Sequence, residues 1–177
     1  MIEIDYRLAE VSDAEAIADV EVRSKRDSIA ELENEPSMDH ARCSKRWAGY
    51  LAGTRHPKLA RRERATWVAC EASSIVGFLG CHHAERQDWW PADAELQQVY
   101  VLKTHQRLGI GQQLFTRMVQ WLRETAVNSV GVGFHAENPY RAFYLKMGGQ
   151  PTGPGMYFWD DLASWAGRLR GSRDNIT

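Results

Sequence analysis

Ile2, Ile4, Tyr6 and Leu8 alternate with polar residues, a period of two that predicts a first β-strand. Ser12 and Glu15 have capping-box spacing. Ala14, Ile17, Val20 and Val22 supply apolar positions for a helix expected to run to about Ile29. Leu32 to Ser37, with Glu33, Glu35 and Pro36, reads as a loop, and a second helix is expected from Met38 to Leu51, stopping at Gly53. Thr54 to Arg64 is basic and expected to be exposed. Thr66 to Ala72 and Ile75 to His83 flank Ser73-Ser74, the pattern of a hairpin with a two-residue turn. After a loop from Gln87 to Ala92, Glu95 to Leu102 reads as a strand. Ile110, Leu114, Met118 and Leu122 then recur every four residues, with Phe115 and Val119 broadening the stripe of a long helix. Val130 to His135 is a short strand, Asn138-Pro139 starts a helix and Gly148-Gly149 ends it. Met156 to Trp159 is a last strand, and Leu162 to Leu169 a short terminal helix. The sequence of elements, β-α-α-β-β-β-α-β-α-β, is that of a mixed α/β fold. Without repeats or a Pro/Gly/Ser linker, one domain over residues 1–177 is expected.

Composition narrows the function. The net charge of −1 argues against a general nucleic-acid binder. The uncharged run from Ala72 to Ala84 is too short for a bilayer, which needs about 20 residues. The start, Met-Ile-Glu-Ile-Asp, lacks the positive region and apolar stretch of a signal peptide. Three cysteines (Cys43, Cys70, Cys81) fit a reducing, cytoplasmic setting better than a disulfide framework. Charge is uneven: residues 1–40 hold twelve acidic and four basic side chains, residues 41–64 one acidic and eight basic. Both halves read as solvated faces, or the acidic one as a rim for a cationic substrate. Cys81-His82-His83 invites a metal, but on a strand Cys81 and His83 share one face while His82 points away. No second ligand pair has zinc spacing, so no metal is expected. Trp89-Trp90-Pro91 reads as loop packing or as a wall of an acceptor site.

The chemistry concentrates where a strand, Glu95 to Val101, leads through a polar loop into Gly109-Ile110-Gly111 and a helix. The first N–H groups of a helix lack internal partners and carry partial positive charge. Glycines there let a diphosphate approach the backbone. A Walker loop requires Gly-x4-Gly-Lys-Ser/Thr, which does not occur. A dinucleotide fingerprint requires a third spaced glycine soon after the first strand, and Leu114 stands in that place. Taken alone, the two glycines fit an anion site or merely a tight turn into a helix.

The wider pattern decides for more. Gln106-Arg107-Leu108-Gly109-Ile110-Gly111 resembles the Gln/Arg-x-x-Gly-x-Gly/Ala motif of the GNAT acetyltransferase superfamily. The preceding strand Val99-Tyr100-Val101 stands at the family's usual spacing. Asn138-Pro-Tyr-Arg-Ala-Phe-Tyr144-Leu-Lys-Met-Gly148 resembles its second motif, an Asn, an aromatic–Tyr helix and a Gly. The likeness covers roughly residues 75 to 158. It departs at Gly149, where the family often has Phe, and at Lys103-Thr104-His105, where Pro-Glu-Tyr-like residues are common.

The resemblance implies a mostly antiparallel, splayed sheet flanked by helices. It implies acetyl-CoA as co-substrate, no metal, and direct transfer to a primary amine of a small molecule or peptide. The backbone from Gln106 through Arg107, Leu108, Gly109, Ile110 and Gly111 to Gln112 would hold the diphosphate. The backbone of Val99, Tyr100 and Val101 would pair with the pantetheine arm. Asn138 would bond the pantetheine region or cap its helix. Glu95 is the candidate base and Tyr144 the candidate acid toward the leaving thiolate. An oxyanion donor is expected near Tyr100, at a bulge near Val99. A lysine-like amine, pKa about 10.4, costs roughly 4–5 kcal/mol to deprotonate at pH 7, which gives a base or a water chain its use. The acidic stretch Glu31, Glu33, Glu35 lies where the family builds acceptor specificity and raises a cationic acceptor as an expectation. Homodimers are common in such families. Two other readings are a non-catalytic CoA-binding regulator and a nucleotide-binding or DNA-binding module, for which only residues 55–64 are locally basic.

Overall fold

Strand alternation builds one sheet, and four-residue apolar stripes cover both of its faces. A computed structural model describes residues 3–28, 35–134, 139–153 and 155–165. β1 (Ile4–Leu8), β2 (Ala60–Glu71), β3 (Ser74–Ala84) and β4 (Ala94–Val101) pair consecutively and antiparallel. β5 (Val130–Gly133) runs parallel to β4, and β7 (Met156–Trp159) lies antiparallel between β5 and the edge strand β6 (Gln150–Gly153). The seven-stranded order is β1-β2-β3-β4-β5-β7-β6. The sheet is mixed and mostly antiparallel, as the α/β reading and the resemblance led one to expect.

α1 (Ala14–Arg26) and α2 (His40–Leu51) cover one face. Trp47 of α2 is fully buried and meets Phe78 of β3 edge-on at 5.0 Å. α3 (Ile110–Glu124) covers the other face, its apolar stripe Ile110, Leu114, Phe115, Met118, Val119 and Leu122 buried as read from the sequence. α4 (Arg141–Lys146) lies beside it, Phe143 meeting Phe115 edge-on. Ridges of large side chains on both faces account for the core; burying each such side chain contributes roughly 1.5–3 kcal/mol.

Several boundaries differ from the sequence reading, each for a local reason. Ser12 caps nothing at α1. Asp13 instead accepts the Glu10 N–H at 2.7 Å and clasps Arg7 through two bonds of 2.7 and 2.9 Å, which winds Val11–Asp13 into a 3-10 turn. α2 starts at His40 because Asp39, not Met38, accepts from a free helix amide (Arg42 N–H, 2.7 Å). β2 begins six residues earlier than its apolar pattern, since the long β3 offers a partner as far as Ala84 opposite Ala60. Those first residues are mostly exposed, as expected of the basic stretch. Glu71 faces Ser74, so the hairpin turn is Ala72-Ser73 rather than Ser73-Ser74. β6 is exposed throughout and has no alternation to read; pairing with β7 alone makes it a strand. Ile2, Ile29, His135, Asn138 and the end of the expected terminal helix lie outside the described residues.

One contact positions the site. β4 and β5 are paired only at Glu95 opposite Gly131. A Cβ on Gly131 would lie 2.5 Å from the Phe158 ring and 2.9 Å from the Trp90 ring. Both rings are buried in a small cluster with Leu59, Ala84 and Ala92. This is where the Trp89-Trp90 loop spends its apolar surface: Trp90 is packed and Trp89 is half exposed. Overpacking a site of this kind costs about 1–3 kcal/mol. Gly131→Ala is therefore expected to lower the urea midpoint by that free energy with an unchanged slope; an unchanged midpoint would show that the rings yield freely.

Candidate functional site

Beyond Glu95 the two central strands separate, and β4 has a neighbour on one side only. The Leu102 N–H donates to the Val76 carbonyl at 2.9 Å. Alternation of an antiparallel ladder then pairs Tyr100 with Phe78 and turns the N–H and C=O of Val99 and Val101 away from β3, into the gap. The Val101 carbonyl is met by the Gln106 side-chain amide at 3.1 Å. Val99 has no partner for either polar group across the gap among the described residues. The expected bulge is present but sits at Gln97: Gly80 faces Gln98 while Cys81 faces Leu96. The amide aimed into the gap is accordingly that of Val99, and the Tyr100 amide is turned toward β3. The Val99 amide, next to Tyr100, is thus the candidate for the oxyanion donor expected near Tyr100.

The gap opens into a cleft of about 800 Å³, within the size range of small-molecule sites. Val99, Tyr100, Val101, Gln106, Arg107, Gly109, Ile110, Gly111, Gln112 and Tyr144 all line it. Among the described residues, no N–H from Arg107 through Gln112 donates to a protein acceptor; the first intrahelical bond there is Gln113 N–H to the Gly109 carbonyl, 3.0 Å. Arg107 and Gly109 both have left-handed backbone (φ 65° and 82°), which curls these amides toward one point. Gly109 is needed for that angle rather than for space, since a Cβ would meet nothing within 4 Å. Gly111 has the opposite reason: its missing Cβ admits the Phe143 ring. Leu108 contributes backbone alone, its side chain standing out in solvent. Gln106 is a brace, its amide joining Val101 to the Tyr140 hydroxyl at 3.2 Å.

Tyr144 reaches the cleft from α4. It is buried in an aromatic cluster with Phe134 and Tyr157, whose ring centroids lie 5.4 and 5.6 Å from its own and 5.3 Å from each other. Burial holds its phenol well above the ordinary range, so it stays protonated at any working pH. Its hydroxyl has no hydrogen-bond partner among the described residues. Tyr100 also lines the cleft, its phenol likewise raised by burial and further by Glu21 and Tyr144.

Glu95 stands apart. It sits at the closed end of the splay and lines neither recess of the site. Its carboxylate is 3.1 Å from Nε2 of the fully buried His82, whose Nδ1 is 3.0 Å from the Tyr50 hydroxyl. Burial, then Cys81, raises the Tyr50 phenol, which remains a donor. With Tyr50 donating to Nδ1, the imidazole carries its hydrogen on Nε2 and donates a hydrogen bond from it to the Glu95 carboxylate. His82 and His83 lie on opposite faces, as alternation required; His83 bonds Thr125 of α3. No group of three metal-ligating side chains occurs among the described residues. The three cysteines are unpaired and buried.

The sequence reading passed over a second polar centre. Glu21, in the apolar stripe of α1, is fully buried and accepts from Lys25 Nζ at 2.5 Å, Trp47 Nε1 at 2.6 Å, Gln98 Nε2 at 3.1 Å and the Arg46 guanidinium. Burial pushes its carboxyl up, but Arg46, Lys25 and these bonds outweigh that and hold it below the usual range. The available signal was a charged i, i+4 pair, Glu21 and Lys25, inside a helix's buried face. Removing one partner of a buried pair costs about 3 kcal/mol. Glu21→Gln is expected to lower the melting temperature at pH 7 by roughly 10 °C. A depressed folded-state pKa gives stability that is complete above the free carboxylate's titration, near pH 4.3, and lost as pH falls through the folded value. The gap between the two proteins should therefore narrow on acidification; a gap that widens would reverse the assignment of charge.

Residues 26–149 match the model of the Acetyltransferase (GNAT) family. No curated protein matches the chain. Among solved structures, the chain is similar to a PaiA N-acetyltransferase from Thermoplasma acidophilum in complex with coenzyme A, with 16% identity, TM-score 0.66 and coverage of 88% of this chain and 96% of the other. It is similar to a GNAT-family acetyltransferase from Brucella melitensis in complex with acetyl-CoA, with 17% identity, TM-score 0.60, covering 89% and 88%. A GNAT-family acetyltransferase from Staphylococcus aureus Mu50 has 16% identity and TM-score 0.68 over 90% and 99%.

Proposed function

Because the chain belongs to the GNAT acetyltransferase family, we propose that it moves an acetyl group from acetyl-CoA to a primary amine by direct attack in a ternary complex. The observation that carries this is the run of unpaired backbone donors. Arg107 to Gln112 offer amides for a diphosphate, and Val99 and Val101 offer strand-edge groups for a peptide-like pantetheine arm. A phosphate-bearing ligand with amide bonds in its tail satisfies both sets at once.

In this mechanism the Val99 N–H points at the thioester carbonyl and steadies the oxyanion as the amine adds. Tyr144 gives its proton to the departing thiolate, whose conjugate thiol has a pKa near 8.5. Glu95, held by His82, takes the acceptor's proton through an intervening water, since it stands off the cleft walls. Asn138, which lies outside the described residues, holds the pantetheine region; the N-cap position of α4 is taken by Tyr140. The whole of residues 1–177 acts as one catalytic domain. The buried unpaired cysteines support a cytoplasmic setting, and no described helix is long and apolar enough to cross a membrane. A regulator that binds acyl-CoA without turnover would bind the ligand equally well, and the presence of a free, protonated phenol in the cleft favours the enzyme.

Tyr144→Phe is expected to lower kcat at least tenfold while acetyl-CoA affinity stays within about twofold; unaltered turnover in steady-state assays would remove the acid role. Because the phenol does not ionise near neutrality, the wild-type rate should show no alkaline fall from this group below about pH 10. Gly109→Val forces a branched side chain into left-handed backbone. Calorimetry should then find acetyl-CoA binding abolished in a still-folded protein, and undiminished binding would defeat the anion-site argument.

A further inference from the structure

A second recess of about 290 Å³ adjoins the cleft on the α1–α2 side of β4. Lys25, Ser37 and Gln98 line both, so the two are neighbours across these side chains. Nothing from the 106–112 loop lines the second recess, which separates it from the diphosphate cradle. Its charged walls are Lys25, Arg42, Arg46 and Arg55, against a single described carboxylate, Glu21. That carboxylate already accepts from Lys25, Arg46, Trp47 and Gln98. The guanidinium groups of Arg42 and Arg55 have no acidic partner among the described residues. Glu35, the described member of the acidic stretch, lines neither recess, and Glu31 and Glu33 lie outside the described residues.

The arrangement is built into the backbone. Arg42 and Arg46 stand one turn apart on α2, and Gly49 continues that face. The chain after α2 folds back on Gly49, whose carbonyl accepts the N–H groups of Thr54 and Arg55, both at 2.9 Å. A Cβ on Gly49 would lie 3.1 Å from the Arg55 Cβ. The missing side chain thus lets Arg55 close the same face as Arg42 and Arg46.

We propose that this recess is an acceptor subsite that binds an anionic group, a carboxylate or a phosphate, on the amine that is acetylated. The proposal rests on the acetyltransferase reading and deepens it. It also reverses the charge expected from the acidic stretch. Planar guanidinium forks match either oxyanion, and the Gln98 wall shared with the cleft lets the acceptor's amine reach the thioester while its anion stays with the arginines.

The test measures release of the CoA thiol with matched acceptors: L-alanine against L-alaninamide, O-phosphoethanolamine against ethanolamine, and a polyamine as the cationic member. In at least one pair the anionic member should have a kcat/KM at least tenfold higher, and which pair does so separates carboxylate from phosphate. Arg42→Gln/Arg55→Gln should raise that acceptor's KM at least tenfold with the acetyl-CoA Kd within twofold. Preference for the neutral or cationic members overturns the proposal, as does an anion preference that survives the double variant. If no member turns over, calorimetry on the CoA-saturated protein decides. Binding of O-phosphoethanolamine or L-alanine that disappears in the double variant supports the subsite, and no such binding overturns it. Failure of the wild-type protein to bind acetyl-CoA would sink the acyl-transfer reading instead, and inorganic phosphate titrated against both proteins would then test the recess by itself.

Discussion

A backbone amide or carbonyl inside a protein demands a partner, and the architecture follows from where that demand goes unmet. β4 pairs with β3 on both sides of the Gln97 bulge but pairs with β5 at one register position, Glu95 opposite Gly131. The contact is fixed by the Trp90 and Phe158 rings, which need the space a Cβ would fill. Past it, the aromatic stack of Phe134, Tyr144 and Tyr157 occupies the β5 side of the opening. The exposed edge of Val99 and Val101 and the uncapped start of α3 then lie along one wall of a single cleft. An unsatisfied buried polar group costs about 1–3 kcal/mol, so a ligand with matching groups has a strong reason to bind there.

β4 divides the chemistry between its two faces. Residue alternation would put Glu95 and Gln97 together, but the extra residue at Gln97 brings Glu95 and Gln98 to the α1–α2 side. That shift couples the open edge to two buried polar systems. One is the Tyr50–His82–Glu95 chain, which fixes a carboxylate at the closed end of the splay. The other is Glu21 with its four donors, which leaves Arg42 and Arg55 without an acidic partner among the described residues. The same bulge therefore sets both the orientation of the reacting edge and the sign of the adjoining recess.

Gln106 shows how a recognition motif can be partly structural. Its amide ties the Val101 carbonyl to the Tyr140 hydroxyl, and Ser28 at the end of α1 donates to that same hydroxyl at 3.1 Å. The side chain thus locks together the strand edge, the diphosphate loop and the start of α4. Its backbone neighbours, not its side chain, remain open toward the cleft.

Local pattern alone settled the strands β1 to β5, the four helices and the resemblance carried by residues 106–111 and 138–148, because periodicity and helix-start chemistry are short-range. Tyr144 and the strand edge at Val99 to Val101, singled out from the sequence, line one cleft. Local pattern did not reveal β6, whose residues have no alternating face and become a strand only against β7. It put the bulge near Val99 instead of at Gln97, because a bulge depends on which residue the partner strand leaves unpaired. In the sequence Glu21 reads only as one of the acidic residues of a solvated face, and the basic stretch after α2 reads as solvated charge. Burial of Glu21 among four donors, and the docking of Arg55 on Gly49, are long-range packing events. Tertiary structure alone decided them, because an isolated sequence position does not specify which distant charges it will meet.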